Sequence, residues 1–597
     1  MADDSQRGER AEPDRDGEER VFPFSVMLIL SFFVGVVGGL GSIVFKAGIA
    51  FFHNLFFYGD IALSYDPNAH IAPSVWGIGL ILVPVVGSVI VTWITQTVAP
   101  EARGHGVPEV LGAIYYSQGR IRPIVVVAKA VASAVSIGTG GSVGREGPII
   151  QIGAAFGSAL GQISRLPARQ CIVLISAGAG AGIAATFNAP VGGLAFAIEL
   201  LLVTISARTV AMVAVATVTA TYVGRIYSGL EPSFDVPDLA VFENHLVGLY
   251  TMILCVPLGL FMGYACSVFI RSIYFLEDWF EAHIPNAYVR HAAGMFLVGV
   301  MLYAFLWRTQ HYYIGGVGYA TIMDILRSVL TDPWFLLLLF AAKLLATGLT
   351  LGSGASGGVF SPALFLGATL GSAFGGVILW LFPASHVNSV VFAVAGMAAM
   401  VGGSTGAVVT AITMIFEQTR DYSAMLPIIT TVALAYASRT YFTSESIYTL
   451  KLFRRGFRVP QGLQAAVSHM LTADRIMNPD FEVVEMDDLR EWETNYKPGQ
   501  NPRYTVISRD GEVVGMMRDE LAYLLRDQDP EQVVDKQYFT VTTNTRLPTI
   551  TRGMRAKEAD RTLVFRRRYS RDVNDIAGII TPREIVHSVG ANAELQD

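Results

Sequence analysis

One carboxylate stands out for the chemistry it could do. Glu146 lies in Gly138-Thr-Gly-Gly-Ser-Val-Gly-Arg-Glu-Gly-Pro-Ile-Ile-Gln-Ile-Gly153, a run set in apolar sequence that nonetheless holds an arginine, a glutamate and many glycines. An ionisable residue inside a membrane segment is costly, so it is functional by default. Glycines let backbone approach a ligand with its N–H groups turned inward. Pro148 suits the first turn of a helix, where no backbone donor is required. The pattern predicts a broken helix whose electropositive start faces an anion, with Glu146 at its mouth. A carboxylate can occupy an anion site by imitating the anion. Protonated or swung aside, it frees the site, and that makes Glu146 a gate.

The run has a second copy. Gly352-Ser-Gly-Ala-Ser-Gly-Gly-Val-Phe-Ser-Pro362 leads into another apolar stretch, and Pro148/Pro362, Gly153/Gly367, Gly157/Gly371 and Ser158/Ser372 keep one spacing. Ala177 through Glu199 likewise matches Ala395 through Glu417. Interrupted apolar segments at matching places in two halves point to an ion site near the bilayer midplane. Close helix packing is the other use of such glycines. Glu417, in the polar break Glu417-Gln-Thr-Arg-Asp-Tyr422, reads as a helix-end cap or packed carboxylate rather than a transport residue.

The elements that must position these residues are membrane helices. Of 597 residues 52% are hydrophobic and 15% charged, and the mean hydropathy is +0.46, which suits a polytopic membrane protein. Residues 1–21 form a charged tail, 22–458 the membrane part and 459–597 a soluble unit. Within the membrane part the repeats run from about 22 to 230 and from about 245 to 450, joined by the polar Glu231–Glu243. Val21–Tyr58 exceeds one span and implies tilt, or a kink near Gly39-Leu-Gly41. Several other apolar segments are too short to span, and such pieces are tolerated only where protein or a water-filled cavity covers their ends. Lys451, Arg454, Arg455 and Arg458, just past the last span, place that side in the cytoplasm.

The soluble unit reads as α/β. Tyr504–Gly515 is strand, turn at Asp510-Gly511, strand; Asp575–Ile585 is strand then helix. Cys171, Cys255 and Cys266 lie in apolar stretches as buried hydrophobes, without metal or disulfide spacing. No His-Glu-x-x-His pair, nucleophile elbow or phosphate-binding loop is present, so the sequence offers no enzyme, no catalytic residue and no metal. Nothing points to nucleic acid. A sensor that uses the membrane only as an anchor would need unbroken spans, which the duplicated breaks argue against.

Gly144-Arg-Glu-Gly-Pro148, Gly358-Val-Phe-Ser-Pro362 and Gly104-His-Gly-Val-Pro108 resemble the selectivity-filter motifs of the CLC chloride channels and transporters. Asn188-Ala-Pro190 and Tyr448 fit the same family, and the similarity covers roughly Phe22 to Arg455. The resemblance implies an all-α polytopic membrane protein of two inverted repeats of broken, tilted helices in a cell membrane, plasma or inner. It implies a homodimer with one chloride pathway per subunit. Chloride would be bound by backbone N–H groups near Gly104, His105, Gly144, Arg145, Glu146, Val359 and Phe360, and by the Tyr448 hydroxyl on the inner side. Arg145 itself would orient its neighbours, since a full positive charge would hold chloride too tightly. The soluble unit resembles a cytoplasmic CBS pair, whose family often binds adenine nucleotide. Thr581 and Glu584 have the spacing for that role, or for a helix-start cap. The matching place in the first half holds Met517 and Glu520. No cofactor is required.

Two positions depart from the family. His105 stands where a serine is common, or a proline in nitrate-preferring relatives. Its ring could donate one hydrogen bond or add pH sensitivity, or turn away and leave the amides to bind. Leu200 stands where the antiporter branch has a second glutamate, which passes protons from the inner side. Leucine carries no proton. The expectation is therefore passive or weakly coupled anion transport, the alternative being chloride/proton exchange by another route, through water or Glu199. Fluoride exporters typically carry an asparagine in the first motif and change the last residue of Gly-Arg-Glu-Gly-Pro; this chain does neither.

Overall fold

Apolar runs with few interior prolines satisfy their backbone internally as helices, the one way a non-barrel chain can cross lipid. The computed structural model describes residues 20–230, 234, 236, 245–385, 387–457, 459, 471–496, 504–517, 525, 529–586 and 588. The chain divides into two compact units, Met1–Arg458 and Val459–Asp597.

The first unit repeats one series of helices. In the first repeat these are α1 (Phe24–Tyr58), α2 (Val83–Thr97), α3 (Val107–Tyr116), α4 (Ile124–Gly138), α5 (Glu146–Ile163), α6 (Ala168–Phe187), α7 (Pro190–Phe196) and α8 (Ala207–Ser228). In the second they are α9 (His245–His283), α10 (Ala287–Thr309), α11 (Tyr319–Leu326), α12 (Pro333–Ser353), α13 (Phe360–Leu381), α14 (Ser389–Thr405), α15 (Val408–Thr419) and α16 (Met425–Phe442). A short α17 (Thr449–Arg454) follows. Packing repeats with the order: α5 on α6 and α13 on α14, α1 on α8 and α9 on α16. Among the described residues, eight helices are long and apolar enough to cross a membrane, while α4, α14 and α15 are shorter apolar pieces.

α1 runs unbroken for 35 residues through Gly39 and Gly41, so the kink anticipated there is absent. At 1.5 Å per residue it is about 52 Å long, against a hydrocarbon layer of about 30 Å; it must tilt or protrude. Gly35 and Gly39 face α8 at Ala216 and Val223, where a side chain would collide. Close packing also accounts for part of the repeated glycine pattern. Gly153 lies against the Gly178 carbonyl, and Gly367 against that of Gly396.

The second unit repeats strand–helix–strand–strand. β1 (Glu482–Glu485) pairs parallel with β2 (Thr505–Arg509), which pairs antiparallel with β3 (Glu512–Met517). β4 (Phe539–Thr542), β5 (Thr562–Phe565) and β6 (Ile576–Ile580) do the same. The helices Leu489–Asn495 and Leu547–Ala556 follow the first strand of each set. The β2–β3 turn falls at Asp510 and Gly511, both with positive φ (53° and 77°), as an Asp-Gly hairpin requires. Val506 and Met516 of one sheet share a core with Leu563 and Ile579 of the other. Glu520 and Arg458 lie outside the described residues, as do residues 1–19 and most of Glu231–Glu243.

Candidate functional site

The two broken turns meet. Gly144 donates its N–H to the Gly358 carbonyl at 2.8 Å, and Gly358 returns the bond to the Gly144 carbonyl at 2.6 Å. This antiparallel bridge joins the start of α5 to the start of α13 across the two repeats. A side chain on Gly147 would strike the His105 carbonyl and Gly358, so here glycine is dictated by the approach of three loops. The third loop joins through Gly104, whose N–H reaches the Ala355 carbonyl at 2.9 Å.

These bonds engage two of the amides anticipated as ligands. The amides of Gly144 and Gly104 are already used, so these glycines fasten the turns together. The donors left at the two helix starts are those of the first turns themselves, Arg145, Glu146 and Gly147 on one side and Val359 and Phe360 on the other, which have no carbonyl one turn ahead to bond.

Glu146 is fully buried at the first position of α5. Its carboxylate is held by the opposite repeat. Tyr319 Oη donates to Oε1 at 2.6 Å and Ser361 Oγ to the same oxygen at 2.5 Å. The Ser361 N–H lies 3.3 Å from Oε2. Tyr319, the first residue of α11, was not anticipated, and Ser361 was seen only as part of a motif. A signal for Tyr319 existed. Gly104-x-Gly106 recurs as Gly316-x-Gly318 just before it, and all four glycines have positive φ. Arg145 lays its guanidinium over the Tyr319 ring, 5.1 Å from the centroid.

Two buried lysines repeat with the same symmetry. Lys129 Nζ donates to the carbonyls of Ala102 (2.9 Å) and Gly104 (2.6 Å). Lys343 Nζ donates to those of Ile314 (3.0 Å) and Gly316 (2.9 Å). Each stands at the same offset before Pro148 or Pro362, a regularity legible in the sequence. They clamp the loops that lead into α3 and α11.

Tyr448 is buried at the head of α17 and its ring lies 5.9 Å from that of His105. Tyr274 Oη donates to the Ile447 carbonyl at 2.7 Å. Its single proton is thereby used, so His105 Nε2, 3.3 Å away, is the donor to that oxygen. A neutral His105 then carries a bare lone pair on Nδ1, a buried atom with no protein partner. Beyond Tyr274 lies a cavity of about 620 Å³ bordered by Arg103, Glu277, Arg290, Lys451 and Arg454.

Glu199 and Glu417 perform one task in mirror image. Glu199 accepts from the N–H groups of Val409 (3.1 Å) and Thr410 (2.9 Å) and from Thr410 Oγ1 (2.8 Å), at the start of α15. Glu417 accepts from Val191 (3.0 Å) and Gly192 (2.7 Å) at the start of α7. Each carboxylate caps the other repeat's helix, where unpaired N–H groups and the helix dipole favour negative charge. The cap anticipated for Glu417 is what is found. Leu200, next to Glu199, lies in the π-helical turn Ala197–Leu201.

In the second unit Thr581 and Glu584 bond each other, through the Thr581 N–H (3.1 Å) and hydroxyl. Tyr504 Oη takes the other Glu584 oxygen at 2.6 Å. Partial burial works against the charge, yet the bonds from Thr581 and Tyr504 outweigh it and hold the carboxyl below its usual range.

Comparison with known proteins agrees with this architecture. Residues 87–439 match the family model described as "Voltage gated chloride channel". The H(+)/Cl(-) exchange transporter ClcA of Cronobacter sakazakii is 30% identical over 445 residues, covering 72% of this chain and 90% of that protein. Among solved structures, a slow cyanobacterial Cl-/H+ antiporter superposes with TM-score 0.61 at 25% identity, over 73% of this chain and 99% of that one. A eukaryotic CLC transporter shares the fold with TM-score 0.59 at 19% identity, over 94% of this chain and 98% of its own. The matched model spans more than half of the chain, and the motifs found in the sequence are the ones that meet at Glu146. The protein belongs to the CLC family of voltage-gated chloride channels and their transporter relatives and, like them, is an integral membrane protein.

Proposed function

We propose that this protein moves chloride across the membrane past Glu146, and that the movement is channel-like or only weakly coupled to protons. The observation that carries the reading is Glu146 itself. A fully buried carboxylate at a helix start, bonded by hydroxyls of the opposite repeat, occupies a place prepared for an anion. Permeating chloride competes for the same place, and a proton removes the competitor. The first-turn amides of α5 and α13 supply partial positive charge, which lets an ion bind and also leave. Tyr448 serves on the inner side.

Weak coupling rests on two neighbours. Leu200 carries no proton, and both oxygens of Glu199 are engaged in capping α15. Exchange by another route is the second reading, favoured by the names of the relatives, ClcA and the cyanobacterial antiporter. Reversal potential under opposed chloride and proton gradients separates them. The expected value follows the chloride gradient alone or nearly so; a value displaced by the proton gradient establishes exchange.

His105 tests anion choice. A neutral ring offers a lone pair on Nδ1, whereas serine offers a hydroxyl donor, so His105→Ser is expected to raise the preference for chloride over nitrate several-fold. Bi-ionic flux ratios in liposomes measure this, and an unchanged ratio would assign the anion contact to the backbone alone.

We propose further that the protein works as a homodimer with a complete pathway in each subunit, and that its second unit is a CBS pair on the cytoplasmic side. The doubled strand–helix–strand–strand order supports the latter. Adenine nucleotide can use Thr581 and Glu584 there only by displacing Tyr504 and opening the bond between the two.

A further inference from the structure

A serine hydroxyl can turn its proton toward whatever needs one. A neutral imidazole cannot: it has one N–H and one bare nitrogen, and its neighbours decide which is which. At His105 those neighbours leave little freedom. Lys129 Nζ sits on the Gly104 carbonyl at 2.6 Å, and Lys451 Nζ lies 3.0 Å from where a side chain on Gly104 would begin. Positive charges so close oppose a second proton on the ring. The remaining variable is the tautomer.

Tyr274 settles it from the other repeat. It belongs to α9 and is buried, as His105 is. Its hydroxyl proton is committed to the Ile447 carbonyl at 2.7 Å, so its oxygen is left to accept from His105 Nε2 at 3.3 Å. Both ends of this chain are fixed. The Ile447 N–H bonds the Ser404 carbonyl at 2.9 Å, and the Arg454 guanidinium lies over the Tyr274 ring, 5.3 Å from its centroid. Turning the hydroxyl toward His105 would strip the Ile447 carbonyl of this donor. The cost falls on Nδ1, a buried acceptor with no protein partner. Such atoms are rare and call for an explanation.

We propose that Tyr274 is a specificity-determining residue, which locks the His105 proton on Nε2 and so withholds a side-chain donor from the anion. The proposal rests on the transport reading above, in which the His105 ring, 5.9 Å from that of Tyr448, lines the inner approach to Glu146. Chloride concentrates its charge on one atom and gains most from each added donor. Nitrate spreads its charge over three oxygens and loses less when a donor is missing. The lock therefore lowers the preference for chloride, and Tyr274 sets it without touching the ion. It acts as a positioning residue through His105.

The test uses the full-length protein in liposomes. Solid-state nitrogen NMR of isotope-labelled histidine, with His105 assigned by its loss in His105→Ser, should show a protonated Nε2 and a bare Nδ1 in the wild type. Tyr274→Phe keeps the ring beneath Arg454 and removes only the acceptor. It is expected to populate the Nδ1–H form and to raise the chloride-over-nitrate flux ratio about three- to tenfold, the range of one hydrogen bond gained. In the His105→Ser background the same substitution should change the ratio less than about twofold, because the group it acts through is gone. A wild-type ring protonated on Nδ1, or an unchanged ratio in Tyr274→Phe, overturns the lock. A Tyr274→Phe effect that persists in the His105→Ser background also overturns it, and would trace the effect to Ile447 and Tyr448. The wild-type spectrum decides the tautomer even where the variant fails to fold. Absence of any anion flux would overturn the transport reading instead, and the spectrum would still decide the lock.

Discussion

Glu146→Ala is expected to give chloride flux that no longer depends on pH and that exceeds the wild-type rate at neutral pH by ten- to a hundredfold. The reasoning is one of competition. In the wild type the carboxylate occupies the place between the two half-helices, bonded by Tyr319 and Ser361. A hydrogen bond to a charged group is worth about 1.5–3 kcal/mol, and each 1.4 kcal/mol is a factor of about ten in occupancy. Removing the carboxylate removes the competitor and the titrating group together. Alanine is an excellent helix residue and leaves the Gly144–Gly358 bridge untouched. Chloride efflux from liposomes measured across acid and neutral pH decides the matter. A mutant that keeps the wild-type pH profile would show that Glu146 is not the gate.

Tyr319→Phe should produce the second large effect, and it probes the gate from the other repeat. Phenylalanine keeps the ring that lies under Arg145 and against Phe234, 5.1 Å between centroids. Only the hydroxyl is lost. The docked carboxylate then gives up one charge-assisted bond, so it should vacate more readily and neutral flux should rise about tenfold. Ser361→Ala should act in the same direction. The two hydroxyls are 3.1 Å apart and share one carboxylate oxygen, so their effects should not add. A double mutant equal to the sum of the singles would show that they act on Glu146 separately. A Tyr319→Phe protein with wild-type flux would make the tyrosine a packing residue.

Glu199 and Glu417 show how far a sequence reading carries. Their equivalence was visible in the duplication, and a cap was the right expectation for Glu417. Glu199 stands at the start of α15 as Glu417 stands at the start of α7. Position in the duplicated pattern points to the cap, because a carboxylate there satisfies helix-start N–H groups that have no partner in their own helix. Gly104 and Gly144 show a different limit. Glycine marks places where backbone must come close, but the residue type does not say whether it approaches an ion or another strand. Here it approaches another strand.

What the amino acids determined alone was local and periodic. Apolar runs made membrane helices, Pro148 and Pro362 marked where two of them begin, the repeated spacing declared a duplication, and Asp510-Gly511 placed a hairpin turn. These follow from backbone preferences and from the cost of burying polar groups, which act on a few neighbouring residues at a time. The tertiary structure decided which groups face each other across the repeats. It set Tyr319 and Ser361 on Glu146, Tyr274 on His105, and Glu199 on α15. Those partners lie far apart in the chain, and no local preference encodes their meeting. It arises only when two oppositely oriented repeats close on one another and every buried charge must find a donor or an ion.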